Sequence, residues 1–271
     1  MTPEIDPAFR PRARARRSFR TGRAVAALML REMATRYGRS PGGYLWALLE
    51  PLGAIVILSI GFSILIRSPS LGTSFLLFYA TGFMPFVLYQ DLSNHVARAI
   101  NFSRALLHFP VVTWVDAVAA RFLLNALTGV LVAAILLGSI AILTDTRVTM
   151  DLSPILLSLG LAILLGGGVG VLNCALIGLF PVWMQVWSIA MRPLFIISGV
   201  FFLYEDMPAT IQQILWWNPL LHVTGFMREG FYATYEASYA SPLFAALTGL
   251  VTLFLGVVLL GRYHRDILQA G

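Results

Sequence analysis

Two charged residues, Glu50 and Arg192, stand several positions inside long apolar stretches, and each is followed by a proline, Pro51 and Pro193. A charge in hydrocarbon costs on the order of 3 kcal/mol, so each needs a partner or a water-filled cavity. Proline frees backbone carbonyls and bends its helix, which suits the wall of such a cavity. Glu50 is read first as neutralised, by Arg192 or by Arg121. For Arg192, neutralisation and attraction of a passing carboxylate or phosphate weigh equally. Near them stand Tyr37, Tyr44, Trp46 and Trp187, with Tyr79, Tyr89 and Trp183. These aromatics suit either the wall of a polar path or the anchoring of helix ends at lipid headgroups.

Bond-breaking chemistry finds little support. Asp91, Asp116, Glu205, Asp206, Glu229 and Glu236 are not spaced as an acid and base pair, so no catalytic residue is assigned. The adjacent Glu205 and Asp206 read as a solvated helix cap. His95, His108, His222 and His264 are scattered, without the HExxH spacing of a metal helix, and no metal site is expected. The single Cys174 excludes an internal disulfide framework and reads as a small packing residue. Gly166 and Gly170 have the four-residue spacing that lets helices approach closely. All nineteen basic residues are arginine. Without a lysine there is no Walker A motif, so ATP-driven work would need hydrolysis on another polypeptide.

The elements that must position these residues are membrane helices. With 58% hydrophobic and 12% charged residues, the chain has too little polar surface to clothe a water-soluble globule. Ten arginines precede residue 40 against three carboxylates, Glu4, Asp6 and Glu32; the resulting excess, about +7, is larger than the whole chain's +6. This bias places the N-terminus in the cytosol. A span needs about 20 apolar residues, and six stretches qualify, at about 44–66, 74–90, 115–143, 151–179, 186–203 and 241–261, returning the C-terminus to the cytosol. Residues 1–21 form a basic cytosolic tail, 22–40 an interface helix, and 41–271 the transmembrane domain. The twin arginines Arg16 and Arg17 do not make an export signal, because Arg31 and Glu32 interrupt the apolar run that follows.

In the interface helix, Val25, Leu28, Met29, Met33 and Tyr37 share one face, with Arg23, Arg31, Glu32 and Arg36 elsewhere. Glu32 and Arg36 are spaced as an i,i+4 pair. Residues 91–114 read as a cytosolic loop with a short exposed helix near 93–107. Residues 204–240 are apolar but broken by Pro208, Asn218-Pro219 and Gly230. Such a segment survives at membrane depth only where protein or water shields it. The spacing predicts two short helices that dip back from the outer side, and an interfacial belt is the first reading of their aromatics.

From Arg31 through Arg36-Tyr37-Gly38-Arg39-Ser40 to Gly43-Tyr44-Leu45-Trp46-Ala47-Leu48-Leu49-Glu50-Pro51, the chain resembles the ABC-2 permeases that export capsular polysaccharide, the KpsM type. The segment Trp216-Trp217-Asn218-Pro219-Leu220-Leu221-His222 carries the same resemblance, which extends over essentially the whole chain after the tail. The implied fold is an all-α polytopic membrane protein of the ABC-2, type V exporter-like class. It has six transmembrane helices, an N-terminal amphipathic interface helix and re-entrant periplasmic helices before the last span. The implied machine is a homodimer bound to two separate ABC ATPase subunits (KpsT type), which hold the ATP and Mg. This chain itself holds no cofactor. It would push a lipid-linked acidic polysaccharide across the bacterial inner membrane, with an envelope-spanning copolymerase (KpsE type) and an outer-membrane export pore as further partners. No nucleic-acid partner is implied.

On that resemblance Arg31, Arg36, Asn94, His95, Arg98, Asn101 and Phe102 would contact the ATPase. Tyr37, Tyr44, Trp46, Glu50, Trp187 and Arg192 would face the channel, where aromatics and small polar groups can stack on sugar without gripping it. Trp216, Trp217, Asn218, Pro219, His222, Arg228 and Glu229 would form a periplasmic gate. The arginine-rich stretch 10–23 is longer than the resemblance requires and suits membrane lipids of negative charge. An O-antigen or teichoic-acid permease is the nearest alternative. A membrane enzyme acting on a lipid-linked sugar is the alternative of a different class. A proton-coupled transporter would need several mid-membrane ionisable groups and internal repeats, which the sequence lacks.

Overall fold

The computed structural model describes residues 20–37, 43, 45–107, 112–144 and 150–269, and among them every regular element is an α-helix. In order these are α1 (Arg20–Tyr37), α2 (Leu45–Leu65), α3 (Phe75–Ala97), α4 (Ala99–Leu107), α5 (Trp114–Leu143), α6 (Leu152–Leu179), α7 (Trp183–Ile197), α8 (Ala209–Leu215), α9 (Pro219–Phe231) and α10 (Pro242–Gln269). Tyr44 and the side chains of Arg36 and Tyr37 lie outside the described residues.

Five stretches are long and apolar enough to cross a membrane: α2, α3 with α4, α5, α6 and α10. Their outward faces carry Ile57, Ile64, Leu127, Ile142, Leu156 and Phe254, all largely exposed. Apolar exposure on this scale marks a surface whose solvent is lipid. The sixth expected span, 186–203, is interrupted: α7 stops at Ile197, and Gly199 adopts a positive φ of 74°. At 1.5 Å per residue its fifteen residues reach about 22 Å, short of a hydrocarbon core of about 30 Å.

α6 is the centre of the bundle, with α3 and α9 against it and α10 on another side. Its glycines make the approach possible. A Cβ on Gly170 would lie 2.8 Å from Cβ of Val96, and one on Gly166 would lie 3.0 Å from the Tyr89 carbonyl, both on α3. Gly168 meets the backbone of α10 at Gly249. The four-residue glycine spacing is therefore a packing device, as the sequence suggested. Cys174 is buried in the same contact region, beside Val96 and Ala99.

Local signals set the helix starts. Thr113 and Asp116 form a reciprocal capping box on α5, and Asp151 caps α6 by accepting from the Ser153 N–H. Two elements differ from the sequence expectation. Residues 91–97 continue α3 and 99–107 form α4, broken only at Arg98, where a loop was expected from 91. Leu92, Ser93, Val96, Ala99 and Ile100 are buried, so this connector packs on the bundle instead of standing exposed. The polar residues that suggested a loop, Asp91, Asn94, Arg98 and Asn101, occupy the other face. Second, Glu205 caps no helix: α8 begins at Ala209 after Pro208 with no side-chain cap, and Glu205 accepts from the Tyr235 hydroxyl at 3.2 Å.

Candidate functional site

α3 and α7 leave a groove of about 860 Å³ between them. Polar groups line it at Gln90, Asn94, Arg98, Gln185, Ser188 and Arg192, and rings line it at Phe83, Phe86, Trp187 and Phe195. Arg192 and Trp187, both read as channel residues, thus line one cavity. Asn94 and Arg98, read as ATPase contacts, stand on its lining as well. Gln90, Gln185, Ser188 and Phe83 were not singled out from sequence; the pattern of Gln90 and Asn94 one helical turn apart was the available signal.

Glu50 lies elsewhere. With Asp91, Asn125 and Thr128 it lines a smaller cavity of about 200 Å³, and only Phe83 and Gln90 border both spaces. Trp46 is largely exposed on the same helix, α2. The expected neutralisation of Glu50 does not occur: among the described residues Glu50 and Arg192 make no ion pair, and Arg121 pairs with Glu32. Arg121 is instead engaged in a cluster that ties α1 to α5.

At that end, Glu32 and Arg121 are 3% and 7% exposed. Arg121 Nε donates to Glu32 Oε2 at 3.2 Å, and Nη1 donates to the His95 carbonyl at 2.9 Å. Its guanidinium carbon sits 4.1 Å from the Phe102 ring centroid, and that of Arg31 sits 5.5 Å from the same ring. The helical spacing sets Glu32 away from the apolar face and pairs it with Arg36, whose side chain lies outside the described residues. In the fold Glu32 completes the buried stripe of Val25 and Leu28, while Met33 is exposed. A carboxylate at i+7 from Val25 and i+4 from Leu28 was the legible warning. Of the expected contact residues, Arg31, Arg98, Asn101 and Phe102 are exposed, whereas Asn94 and His95 are half-buried. His95 Nδ1 also bonds to the Asp91 carbonyl, at 2.7 Å.

The opposite end is built around the break after α7. Helix ends and irregular backbone leave carbonyls without partners, which low-dielectric surroundings punish. α9 supplies the partners. Asn218 Nδ2 donates to the carbonyl of Ile197 and to Ser198 Oγ, both at 3.1 Å. Thr224 Oγ1 donates to the Ser198 carbonyl at 3.0 Å. Arg228, 1% exposed, donates from Nη1 to the Phe202 carbonyl at 2.8 Å and from Nη2 to the Val200 carbonyl at 3.2 Å. Its guanidinium carbon lies 4.3 Å from the Phe78 ring centroid. Gly82 on α3 makes room, since a Cβ there would lie 3.0 Å from Cα of Val200.

The two short helices expected in 204–240 are α8 and α9, separated at Asn218-Pro219, with Asn218 as N-cap and Pro219 at the first helical position. His222 Nδ1 accepts the Ser241 N–H at 3.1 Å, so Nε2 carries the proton donated to the Trp216 carbonyl at 2.8 Å. Burial lowers the pKa of His222 against the opposing Trp216 bond, so the ring is held neutral. The Trp216 ring stacks on Phe244 at 5.0 Å, and its Nε1 donates to the Tyr239 carbonyl at 3.1 Å. Burial also raises the Tyr239 hydroxyl to about 12. Of the sequence-predicted gate residues, Asn218 and Arg228 therefore bind the break after α7, Trp216 and His222 bind each other and the start of α10, and Pro219 opens the helix between them. Trp217 is largely exposed, and the half-buried Glu229 accepts from the Ala237 N–H at 3.4 Å.

A family model described as ABC-2 type transporter matches residues 23–232. Polysialic acid transport protein KpsM of Escherichia coli is 32% identical over 235 residues, which is 87% of this chain and 91% of that protein. Capsule polysaccharide export inner-membrane protein BexB of Haemophilus influenzae is 29% identical, covering 91% of this chain and 93% of that protein. The corresponding protein CtrC of Neisseria meningitidis serogroup A is 26% identical over 90% of this chain and 92% of that protein.

Proposed function

We propose that this chain, which belongs to the ABC-2 type transporter family, is the membrane-spanning permease subunit of an ATP-driven exporter of lipid-linked capsular polysaccharide across a bacterial inner membrane. The observation that carries the reading is the match along nearly the whole chain to proteins named for polysialic acid transport and capsule polysaccharide export.

In this reading two copies pair, and each binds a separate ABC ATPase subunit that holds ATP and Mg, because the chain has no lysine for a phosphate loop. An envelope-spanning copolymerase and an outer-membrane pore continue the path. α7 with the irregular residues after it completes a sixth crossing, which puts both termini in the cytosol, in keeping with the arginine-rich tail. α8 and α9 then lie on the outer side as re-entrant gate helices. The groove of Arg192, Gln90, Gln185 and Trp187 contributes one wall of the path. Its mixture of rings and small dipoles exchanges hydrogen bonds with sugar hydroxyls, and its two arginines, Arg98 and Arg192, attract acidic groups. Arg31, Arg98, Asn101 and Phe102 present the exposed surface for the ATPase.

The test is purification of the tagged permease from its native host. A Walker-motif ATPase should accompany it in equal amount, and its ATP turnover should respond to lipid-linked glycan. The reading fails if the polypeptide alone hydrolyses ATP, or if export continues in cells from which that ATPase has been deleted.

A further inference from the structure

We infer that Glu32 and Arg121 form the joint through which displacement of α1 and α4 reaches the spans, making them positioning residues for export that touch neither nucleotide nor polymer. This inference rests on the proposed function for the existence of a displacement to carry.

Arg121 belongs to α5, yet its one guanidinium bonds Glu32 on α1 at 3.2 Å and the His95 carbonyl near the end of α3 at 2.9 Å, and covers Phe102 of α4 at 4.1 Å. Four helices therefore meet at a single planar group. The His95 carbonyl also accepts the Arg98 N–H at 3.3 Å, at the residue where α3 gives way to α4. Any rotation of α4 about Arg98 must move Phe102 against Arg121. The far end of α4 is fastened too, since Arg104 Nη2 donates to the Leu268 carbonyl in the last turn of α10 at 2.8 Å. α4 is thus held between two spans, with its exposed face, Asn101 and Ala105, turned outward.

The contact is also shaped like a pivot. Arginine and a carboxylate commonly meet through two parallel bonds, but here Arg121 Nε meets Oε2 alone, and the buried Glu32 Oε1 has no hydrogen-bond partner among the described residues. A single-point contact lets α1 turn about the bond without releasing it. As a stabilising device it is poor, because a buried pair with an unmatched oxygen gains little over apolar packing. Glu32 moreover occupies a position in the stripe of Val25 and Leu28 where an apolar residue would dock α1 at least as well. A group costly for docking and well connected for transmission points to motion as its role.

Two variants separate the joint from a structural pin. Glu32→Leu continues the apolar stripe, so α1 stays docked while the pivot is lost. Arg121→Lys keeps the charge beside Glu32 but cannot also reach the His95 carbonyl and cover Phe102. In proteoliposomes holding the permease with its ATPase, polymer exported per ATP hydrolysed should fall about tenfold in each variant. A ratio within about twofold of wild type in both overturns the inference. The second measurement needs no ATPase. Spin labels at Leu30→Cys and Ala105→Cys in the permease alone, with the buried Cys174 left in place, should give a narrow distance distribution that Glu32→Leu broadens. An unchanged distribution overturns the joint. Wild-type proteoliposomes that export nothing would overturn the proposed function, while the spin-label result would still decide the joint.

Discussion

Asn218 offers the cleanest test of how α9 binds the break after α7, because its two side-chain atoms do separable work. Oδ1 accepts the Leu220 N–H at 3.1 Å and so caps α9, and Nδ2 donates to Ile197 and Ser198 at the end of α7. The cap contributes about 1 kcal/mol. Each of the two donor bonds contributes about 1 kcal/mol net, because the residue is buried and the Ile197 carbonyl would otherwise go unmet. Asn218→Ala should then cost about 3 kcal/mol, and Asn218→Ser, which can cap but cannot reach α7, about 2 kcal/mol. Asn218→Asp keeps the cap yet turns a carboxylate toward the same acceptors, so it should cost at least as much as alanine. At roughly 2–4 °C per kcal/mol, alanine should lower Tm by roughly 6–12 °C and serine by roughly 4–8 °C. The chain carries its own probe: Cys174 is the single cysteine and is 3% exposed. A thiol-reactive fluorophore in detergent therefore reports unfolding directly. If α9 capping were all that mattered, serine and aspartate would both match asparagine, since all three are good N-caps. That result would refute the clamp between α7 and α9.

Other outcomes follow from the same geometry. Gly170→Val should lose about 1–3 kcal/mol by forcing α6 off α3, whereas Gly160→Ala, whose Cβ meets nothing within 4 Å, should gain about 0.5–1 kcal/mol; the thiol assay measures both. His222 has a folded pKa below its ordinary 6.5, so the unfolded chain binds more protons and stability falls as pH drops below that value. His222→Gln should flatten that dependence in thermal scans between about pH 7 and pH 5. Arg192→Gln should lower export of an acidic polymer about tenfold while sparing complex assembly, checked by surface polymer and pull-down. Replacing Arg98 and Asn101 with alanine should lower export with assembly at least partly intact, and normal export would tell against their contact with the ATPase.

Much of the bundle is legible because lipid imposes a simple rule: uninterrupted apolar length. α2, α5 and α6 fall within about a residue of the spans read from sequence, α10 starts where its span was read but runs on to Gln269, and the break at Asn218-Pro219 follows from proline's missing N–H. α3 and α4 were harder. Asp91, Asn94, Arg98 and Asn101 have the composition of a loop, yet the alternate face, Leu92, Val96, Ala99 and Ile100, packs beside Val171 and Cys174 of α6. Tertiary burial decided what local polarity could not. The end of α7 was illegible for the opposite reason, since the run Ile196-Ile197-Ser198-Gly199-Val200-Phe201-Phe202 stays apolar while its backbone leaves the helix. Only α9, some twenty residues on, supplies the hydrogen bonds that make the break tolerable. The pairing of Glu32 with Arg121 spans 89 positions and no local rule reaches it.

Arginine is the common element at these junctions, and the chemistry explains why. Arg121 meets the His95 carbonyl, Arg104 the Leu268 carbonyl, and Arg228 the Val200 and Phe202 carbonyls. The His95 and Leu268 carbonyls lie in the last turns of α3 and α10, where partial negative charge favours a cation, and the Val200 and Phe202 carbonyls lie in the irregular segment after α7, where no helix supplies their donors. A guanidinium also has several donors in one plane and a face that lies on Phe102 or Phe78, so it meets two demands at once. An ammonium would meet one. The sites differ in what the remaining contact permits. Arg228 is sealed among α3, α9 and the segment after α7, with two carbonyls fixed, which suits a part that must hold shape. Arg121 keeps a one-point bond to a helix on the bundle's rim, which suits a part that must turn. Arg228→Lys should therefore act mainly on stability in the thiol assay, and Arg121→Lys mainly on polymer moved per ATP. Equal effects of both substitutions on both measurements would erase the distinction between clamp and pivot.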